Sequence, residues 1–217
     1  MITKKECLAT LFKAATLYKQ NFLGNKYLVL YIDENRKPDY IEIVFYKASF
    51  LHLTGLLFTK KGGNSNQFFD LCLKKRLKES DFEFDDSGFA ELKLNVIEYL
   101  FAEDMSARTI GDYNYSQPVL QTDKLVGGVY ACLGVLRSSK GYFFPNTTRS
   151  GDIGDLVTKK RPIVAIFKKQ HTQPLYDAMV HKTRNEKYRS FVIPNRIKKL
   201  LSEDVIKAFT DNKVDDE

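Results

Sequence analysis

One of the three histidines in this chain interrupts an apolar run. His52 falls within Phe50-Leu51-His52-Leu53 and is followed at once by Thr54 and Gly55, a hydroxyl and a flexible backbone position. An imidazole with its ordinary pKa of roughly 6.5 can take or give a proton near neutrality. The same position also suits a core or strand-end histidine bonded to a backbone carbonyl. His171 and His181 lie in a polar, charged stretch and read as ordinary surface residues.

Other chemistries lack their residues. There is no HExxH, no Cys/His cluster and no close set of carboxylates, so neither a metal nor a cofactor is expected. Gly62-Gly63 lacks the Gly-Lys-Ser/Thr of a phosphate-binding loop, and the GxSxG nucleophile elbow is absent. What remains is basic and hydroxyl-rich. Lys60, Lys61, Lys74, Lys75, Arg76 and Lys78 concentrate charge around the second expected helix, and Lys159, Lys160 and Arg161 form another group. Each is a phosphate-binding patch or a solvated face. Tyr142-Phe143-Phe144-Pro145-Asn146-Thr147-Thr148-Arg149 combines aromatics, a rigid ring, an amide, hydroxyls and a cation. It is either a strand running into a side-chain-bonded turn or a surface that stacks a base and holds a phosphate.

Composition bounds these choices. The 217 residues suit one domain or one domain with an appendage, and 43% apolar residues suffice for a core. Thirty-four Lys and Arg against 27 Asp and Glu leave a net charge of +7, which suits an anionic partner such as RNA or DNA. Cys7, Cys72 and Cys132 form no CxxC pair and sit in hydrophobic patterns, so reduced, buried thiols and a cytoplasmic location are expected. No signal-peptide core is evident and no stretch is long enough to span a bilayer, so no membrane association is expected.

The elements that must position these residues follow from periodicity. Thr3 and Glu6 have capping-box spacing before a helix over about residues 4–20, with Leu8, Leu11, Phe12, Ala15 and Tyr18 at helical period. Lys26–Ile32 and Tyr40–Tyr46 read as a hairpin about the turn Asp33–Pro38. Asn64 or Ser65 caps a helix sharing Phe69, Cys72, Leu73, Arg76 and Leu77. Another helix covers residues 88–103 through Phe89, Leu92, Val96, Ile97, Leu100 and Phe101. Met105–Asp123, with Gly111 and Pro118, reads as a polar surface connection. Val129–Leu136, Tyr142–Phe144 and Pro162–Phe167 are strand-like. The chain from residue 176 reads as helical, with Ile197, Leu200, Leu201, Val205, Ile206 and Phe209 as its stripe and Asp211–Glu217 as a solvated tail. The class is α+β, with a domain over 1–175 and a helical extension over 176–217.

Phe50–Gly55, with Ile110-Gly111-Asp112-Tyr113, Gly141–Thr147 and Ile163–Phe167, resembles the nuclease domains of the Barnase–EndoU–colicin–RelE group found in phages and mobile elements. The resemblance runs over roughly residues 5–170, and Phe50–Gly55 is its most specific part. It implies N-terminal helices packed on an antiparallel sheet of about four strands. It also implies RNA cleavage without a metal, by attack of the ribose 2′-OH on the adjacent phosphodiester. The residues it assigns to chemistry are His52, Thr54, Arg108, Tyr142 and Thr147. Lys60, Lys61, Lys74, Lys75, Asn146 and Arg149 are assigned to RNA binding. One departure stands out: a single histidine falls in a matching motif, so a two-histidine acid/base pair is not supported.

Two main readings follow. The first is an endoribonuclease toxin or phage-conflict effector acting on tRNA or another RNA, with an antitoxin or immunity protein as a further partner. The second is a non-catalytic RNA- or protein-binding inhibitor on the same fold. A structural role in a phage particle is a third reading, lowered because no virion partner domain is recognised in the chain.

Overall fold

The computed structural model describes residues 2–85, 88–115, 121–188 and 191–211. Helix α1, Lys4–Asn21, begins with the expected reciprocal cap: Glu6 N–H donates to Thr3 Oγ1 at 3.2 Å and Thr3 N–H to Glu6 Oε2 at 2.9 Å. Its core face is Cys7, Leu11, Ala14, Ala15 and Tyr18, with Leu8 and Phe12 at the margins.

Strands β1 (Asn25–Ile32) and β2 (Pro38–Val44) form the expected antiparallel hairpin. β1 is buried on both faces. Tyr27, Val29 and Tyr31 enter the core shared with the helices, whereas Leu28, Leu30 and Ile32 enter a second core on the other side. This explains its unbroken apolar run, because a strand covered on both faces needs no polar alternation.

The sheet is larger than expected. To β1 and β2 are added β5 (Thr109–Asp112), β6 (Lys124–Gly127), β7 (Ala131–Arg137), β8 (Phe143–Ser150), β9 (Arg161–Gln170) and β10 (Ala178–Lys182). The order is β1-β2-β8-β7-β6-β5-β9-β10, eight strands rather than about four. β9 also pairs with β1, so seven strands close a ring and β10 forms an outer edge. Every ladder is antiparallel except the short parallel contact of Ile43 with Phe143 between β2 and β8. The Met105–Asp123 connection therefore needs correction: Ile110 is fully buried, and β5 bridges β6 and β9. Four-residue strands carry too few alternations to register as periodic. Pro118 lies outside the described residues.

Helices α2 (Lys47–Thr54), α3 (Ser65–Leu73) and α4 (Phe89–Leu100) join α1 over one side of the sheet. The small hairpin β3 (Leu56–Phe58) and β4 (Phe82–Phe84) pairs separately from the large sheet. Asn64 caps α3 as expected, its side chain accepting from Gln67 N–H at 3.0 Å, but the helix stops before Arg76 and Leu77. On α4 the expected core position Leu92 is instead 47% exposed, and Ala90 and Leu94 take up the buried face.

The segment after residue 176 opens with a strand, not a helix. Beyond β10, helices α5 (Asn195–Lys198) and α6 (Glu203–Thr210) place Ile197, Leu201, Val205 and Phe209 against Leu28, Leu30, Val164 and Phe167. These four belong to the expected stripe, and they seal the sheet's second face. Of the tail, residues 212–217 lie outside the described residues. The three cysteines are free and buried, and burial pushes the Cys7 and Cys132 thiols up to about 12. Among the described residues no helix is long and apolar enough to cross a membrane.

Candidate functional site

His52 is carried by α2, so it is neither a core nor a strand-end residue. Ser49, Phe50, Leu53 and Thr54 recur at helical spacing and are buried, and this turns His52 to the exposed face. Gly55 ends the helix at φ +70°, a left-handed conformation that an L side chain rarely adopts. A Cβ there would also lie 2.9 Å from Lys93 Cδ and 3.2 Å from Ala90 Cα, so the helix end rests directly on α4. Thr54 closes the turn: its hydroxyl donates to the Leu51 carbonyl at 2.7 Å and accepts from Leu56 N–H at 3.3 Å. Fully buried and so engaged, Thr54 shapes the helix end and does not line the cavity beside His52.

The strand opposite is distorted where its sequence is unusual. Thr147 pairs with Gly134 and Pro145 with Val135, leaving Asn146 as an extra residue in a β-bulge. Pro145 has no N–H to give to a regular ladder, and a proline inside a strand is the sequence signal of such an irregularity. Gly134 is required opposite Thr147, since a Cβ there would lie 2.5 Å from Thr147 Cγ2 and 2.9 Å from Thr122 Oγ1. The bulge turns the Asn146 side chain toward the Gln121 carbonyl, to which its Nδ2 donates. Asn146 Oδ1 is buried without a hydrogen-bond partner among the described residues, and so is Ser138 Oγ.

Between α2 and β8 lies a cavity of about 600 Å³ lined by Tyr46, Ser49, His52, Ser138, Tyr142, Asn146 and Thr147. Leu136, Phe144 and Pro145 give it an apolar floor. At its rim the Tyr46 hydroxyl donates to the Tyr142 hydroxyl at 2.7 Å, with the rings 6.4 Å apart. Burial, and then the bond and charge of Tyr142, push Tyr46 up to about 12, so it stays a neutral donor. Tyr46 is also a fixed point of the backbone: its carbonyl accepts from the Tyr18 hydroxyl at 2.8 Å and from Ser49 N–H at 3.1 Å.

The model of a family described as phage-Barnase-EndoU-ColicinE5/D-RelE like nuclease4 matches residues 10–185. The chain belongs to this nuclease family. Comparisons with curated proteins and with solved structures give no match.

In this nuclease, four of the residues singled out from sequence thus share one cavity: His52, Tyr142, Asn146 and Thr147. Tyr46, Ser49, Gln121 and Ser138 complete it and carried no motif. Lys93 was also missed. It comes from α4 and donates to the His52 carbonyl at 3.3 Å. Burial lowers its pKa; Asp85 opposes the shift and Arg149 adds to it. Arg149 rests with its guanidinium 5.5 Å from the Phe89 ring, and its Nε is buried without a partner among the described residues.

The remaining candidates lie apart from the cavity lining. Lys60 and Lys61 are exposed in the turn after β3, and Lys74 and Lys75 are exposed after α3, where Lys75 faces a groove beside α1. Arg108 lines a different groove, together with His181. His181 is not an ordinary surface residue, because burial and then the charge of Arg108 push its pKa down to about 4. Arg161, read as part of a basic patch, is buried; it bonds Asp112 at 2.7 Å and Glu34 at 3.1 Å and ties β5 and β9 to the β1–β2 turn. Among the described residues no three His, Cys, Asp or Glu side chains group as metal ligands.

Proposed function

We propose that this nuclease is an endoribonuclease that works without a metal and holds one nucleotide of its RNA in the α2–β8 cavity. One observation carries the reading. Two buried polar atoms, Asn146 Oδ1 and Ser138 Oγ, have no partner among the described residues, in a cavity with an apolar floor beside an exposed imidazole and two phenols. An unsatisfied buried polar group destabilises by about 1–3 kcal/mol, so their bonds are expected to go to a ligand with a polar edge. A nucleobase offers such an edge together with flat faces suited to Tyr142 and Phe144.

The chemistry follows from the groups around it. His52 takes the proton of the ribose 2′-OH as that oxygen attacks phosphorus. The bond from phosphorus to the 5′-oxygen breaks, and Tyr142, oriented by Tyr46, gives a proton to the departing oxygen. The products are a 2′,3′-cyclic phosphate and a 5′-hydroxyl, and solvent returns the proton from His52 to Tyr142. Lys93, bonded to the backbone of His52, and Arg149 beyond it supply positive charge for the phosphorane.

The test is cleavage of total RNA in EDTA. The wild-type chain should produce cyclic-phosphate ends, and His52→Ala, an exposed substitution that leaves the core intact, should abolish them. Cleavage that survives this substitution, or that needs added magnesium, sinks the proposal. A toxin acting on tRNA would arrest growth on expression, with tRNA fragments accumulating and His52→Ala relieving both effects.

A further inference from the structure

Arg108 reads from sequence as a phosphate ligand beside His52, yet its surroundings form a separate cationic groove. Its backbone is clamped between strands: Arg108 N–H donates to the Gly127 carbonyl at 2.8 Å, and its own carbonyl accepts from Ile163 N–H at 3.0 Å. The side chain therefore projects from a fixed point beside β6 and β9. With it, His181, Lys182, Thr183 and Arg184, from β10 and the residues after it, line a groove of about 600 Å³. Among the described residues the lining holds the guanidinium groups of Arg108 and Arg184 and no carboxylate.

Two details separate this groove from an ordinary charged surface. Met179 pairs with Phe167 and His181 with Ile166, so Val180 is an extra residue and β10 carries a bulge just before His181. His181 Nε2 is buried and has no hydrogen-bond partner among the described residues. A bulge has thus again delivered a polar side chain to a concave site with one buried atom unsatisfied, as at Asn146 on β8. Arg108 gives Nη1 to Asp104 at 2.7 Å and to the Ala107 carbonyl at 2.8 Å, and its Nε and Nη2 make no hydrogen bond among the described residues.

We propose that this groove is a second anion site, distinct from the α2–β8 cavity, and that it takes a phosphate group. Its sources are a backbone phosphate of RNA or a free phosphate ion. Only the RNA source rests on the ribonuclease reading. Arg108 and Arg184 line the site, whereas Lys182 gives its ammonium to the Phe209 carbonyl; at His181 the charge of Arg108 outweighs that of its partner Asp104, so the local field is positive. Guanidinium forks suit phosphate oxygens, which accept several bonds at once. With its pKa pushed down to about 4, His181 is neutral near pH 7 and offers one ring N–H; a bound phosphate would favour its imidazolium, which donates from both nitrogens.

The experiment follows the ring resonances of His181 in the full chain by NMR. Inorganic phosphate, compared with chloride at equal ionic strength, should move them and raise the His181 pKa from about 4 by roughly one unit or more. Arg184→Ala, an exposed change, should weaken phosphate binding by about tenfold. A 2′-O-methylated RNA that cannot be cleaved makes the second arm. The same shift with this RNA identifies a backbone phosphate as the ligand, and a shift with inorganic phosphate alone identifies the free ion. Both results support the site. Resonances that neither probe moves, or that chloride moves equally, overturn it. His52→Ala should respond as wild type does, which keeps the failure of this site distinguishable from the failure of the ribonuclease reading.

Discussion

The Thr148 hydroxyl donates a hydrogen bond to the Leu53 carbonyl at 2.9 Å, in full burial, joining β8 to α2. The bond crosses from the strand that presents Asn146 to the helix that presents His52, two residues beyond the first and one beyond the second. Thr148→Val keeps the shape and removes the donor, leaving a buried carbonyl unsatisfied. It should reduce stability by about 1–2 kcal/mol in denaturant unfolding and lower RNA cleavage by more than the unfolded fraction accounts for. Thr148→Ser, which keeps the donor, should restore cleavage. Equal cleavage by Thr148→Val and wild type, at equal folded fraction, would show that the bond does not position His52.

Gly55 fixes the other end of the same helix. Its φ of +70° and the 3.2 Å approach to Ala90 Cα leave no space for a side chain without moving α2 or α4. Gly55→Ala should destabilise by on the order of 2 kcal/mol, most of it from backbone strain. If the melting temperature is unchanged, the αL conformation is not required at this position.

The Tyr46–Tyr142 bond predicts a non-additive pair. Tyr142→Phe removes the proposed donor to the leaving oxygen and should lower kcat roughly tenfold to a hundredfold. Tyr46→Phe removes only the group that orients it, and the expected loss is about tenfold. The double variant should be no slower than Tyr142→Phe, since Tyr46 acts through Tyr142. A double variant with the product of the two losses would mean that the phenols act independently. Because Tyr46 stays protonated to about 12, its own titration should not limit the rate between pH 8 and 10.

Much of this architecture was written in local signals. The Thr3–Glu6 cap and the β1–β2 hairpin depend on residues close in the chain and occur as expected, and four of the six residues of the C-terminal stripe are buried, on α5, α6 and the link between them. The region around His52 was legible as a location but not as a helix. A short apolar run suits strand and helix equally, and α2 is held by distant bonds from Tyr18 and Thr148 that no local pattern contains. The sheet was undercounted for a similar reason, since β5 and β6 are four residues each and gain their stability from pairing. Arg108 and Arg149 were plausible phosphate ligands by type alone. Only the topology places Arg108 beside His181, with β10 on the outer edge of the sheet.

His181 makes the molecule's acid stability testable. Burial and the nearby Arg108 charge hold its folded pKa near 4, below the ordinary unfolded value of roughly 6.5. Above 6.5 neither state binds this proton, and below 4 both do. Between those limits the unfolded chain alone is protonated, so stability falls as pH falls through that window. For a partly exposed imidazole the loss is on the order of 2 kcal/mol after screening is allowed for. Denaturant unfolding of wild type at pH 7 and pH 4.5 measures it against His181→Gln, whose side chain does not titrate. The difference between the two proteins should shrink on acidification, because the wild type loses a contribution that the variant never had. Parallel pH dependence in both would place His181 in solvent and remove the buried imidazole from the groove.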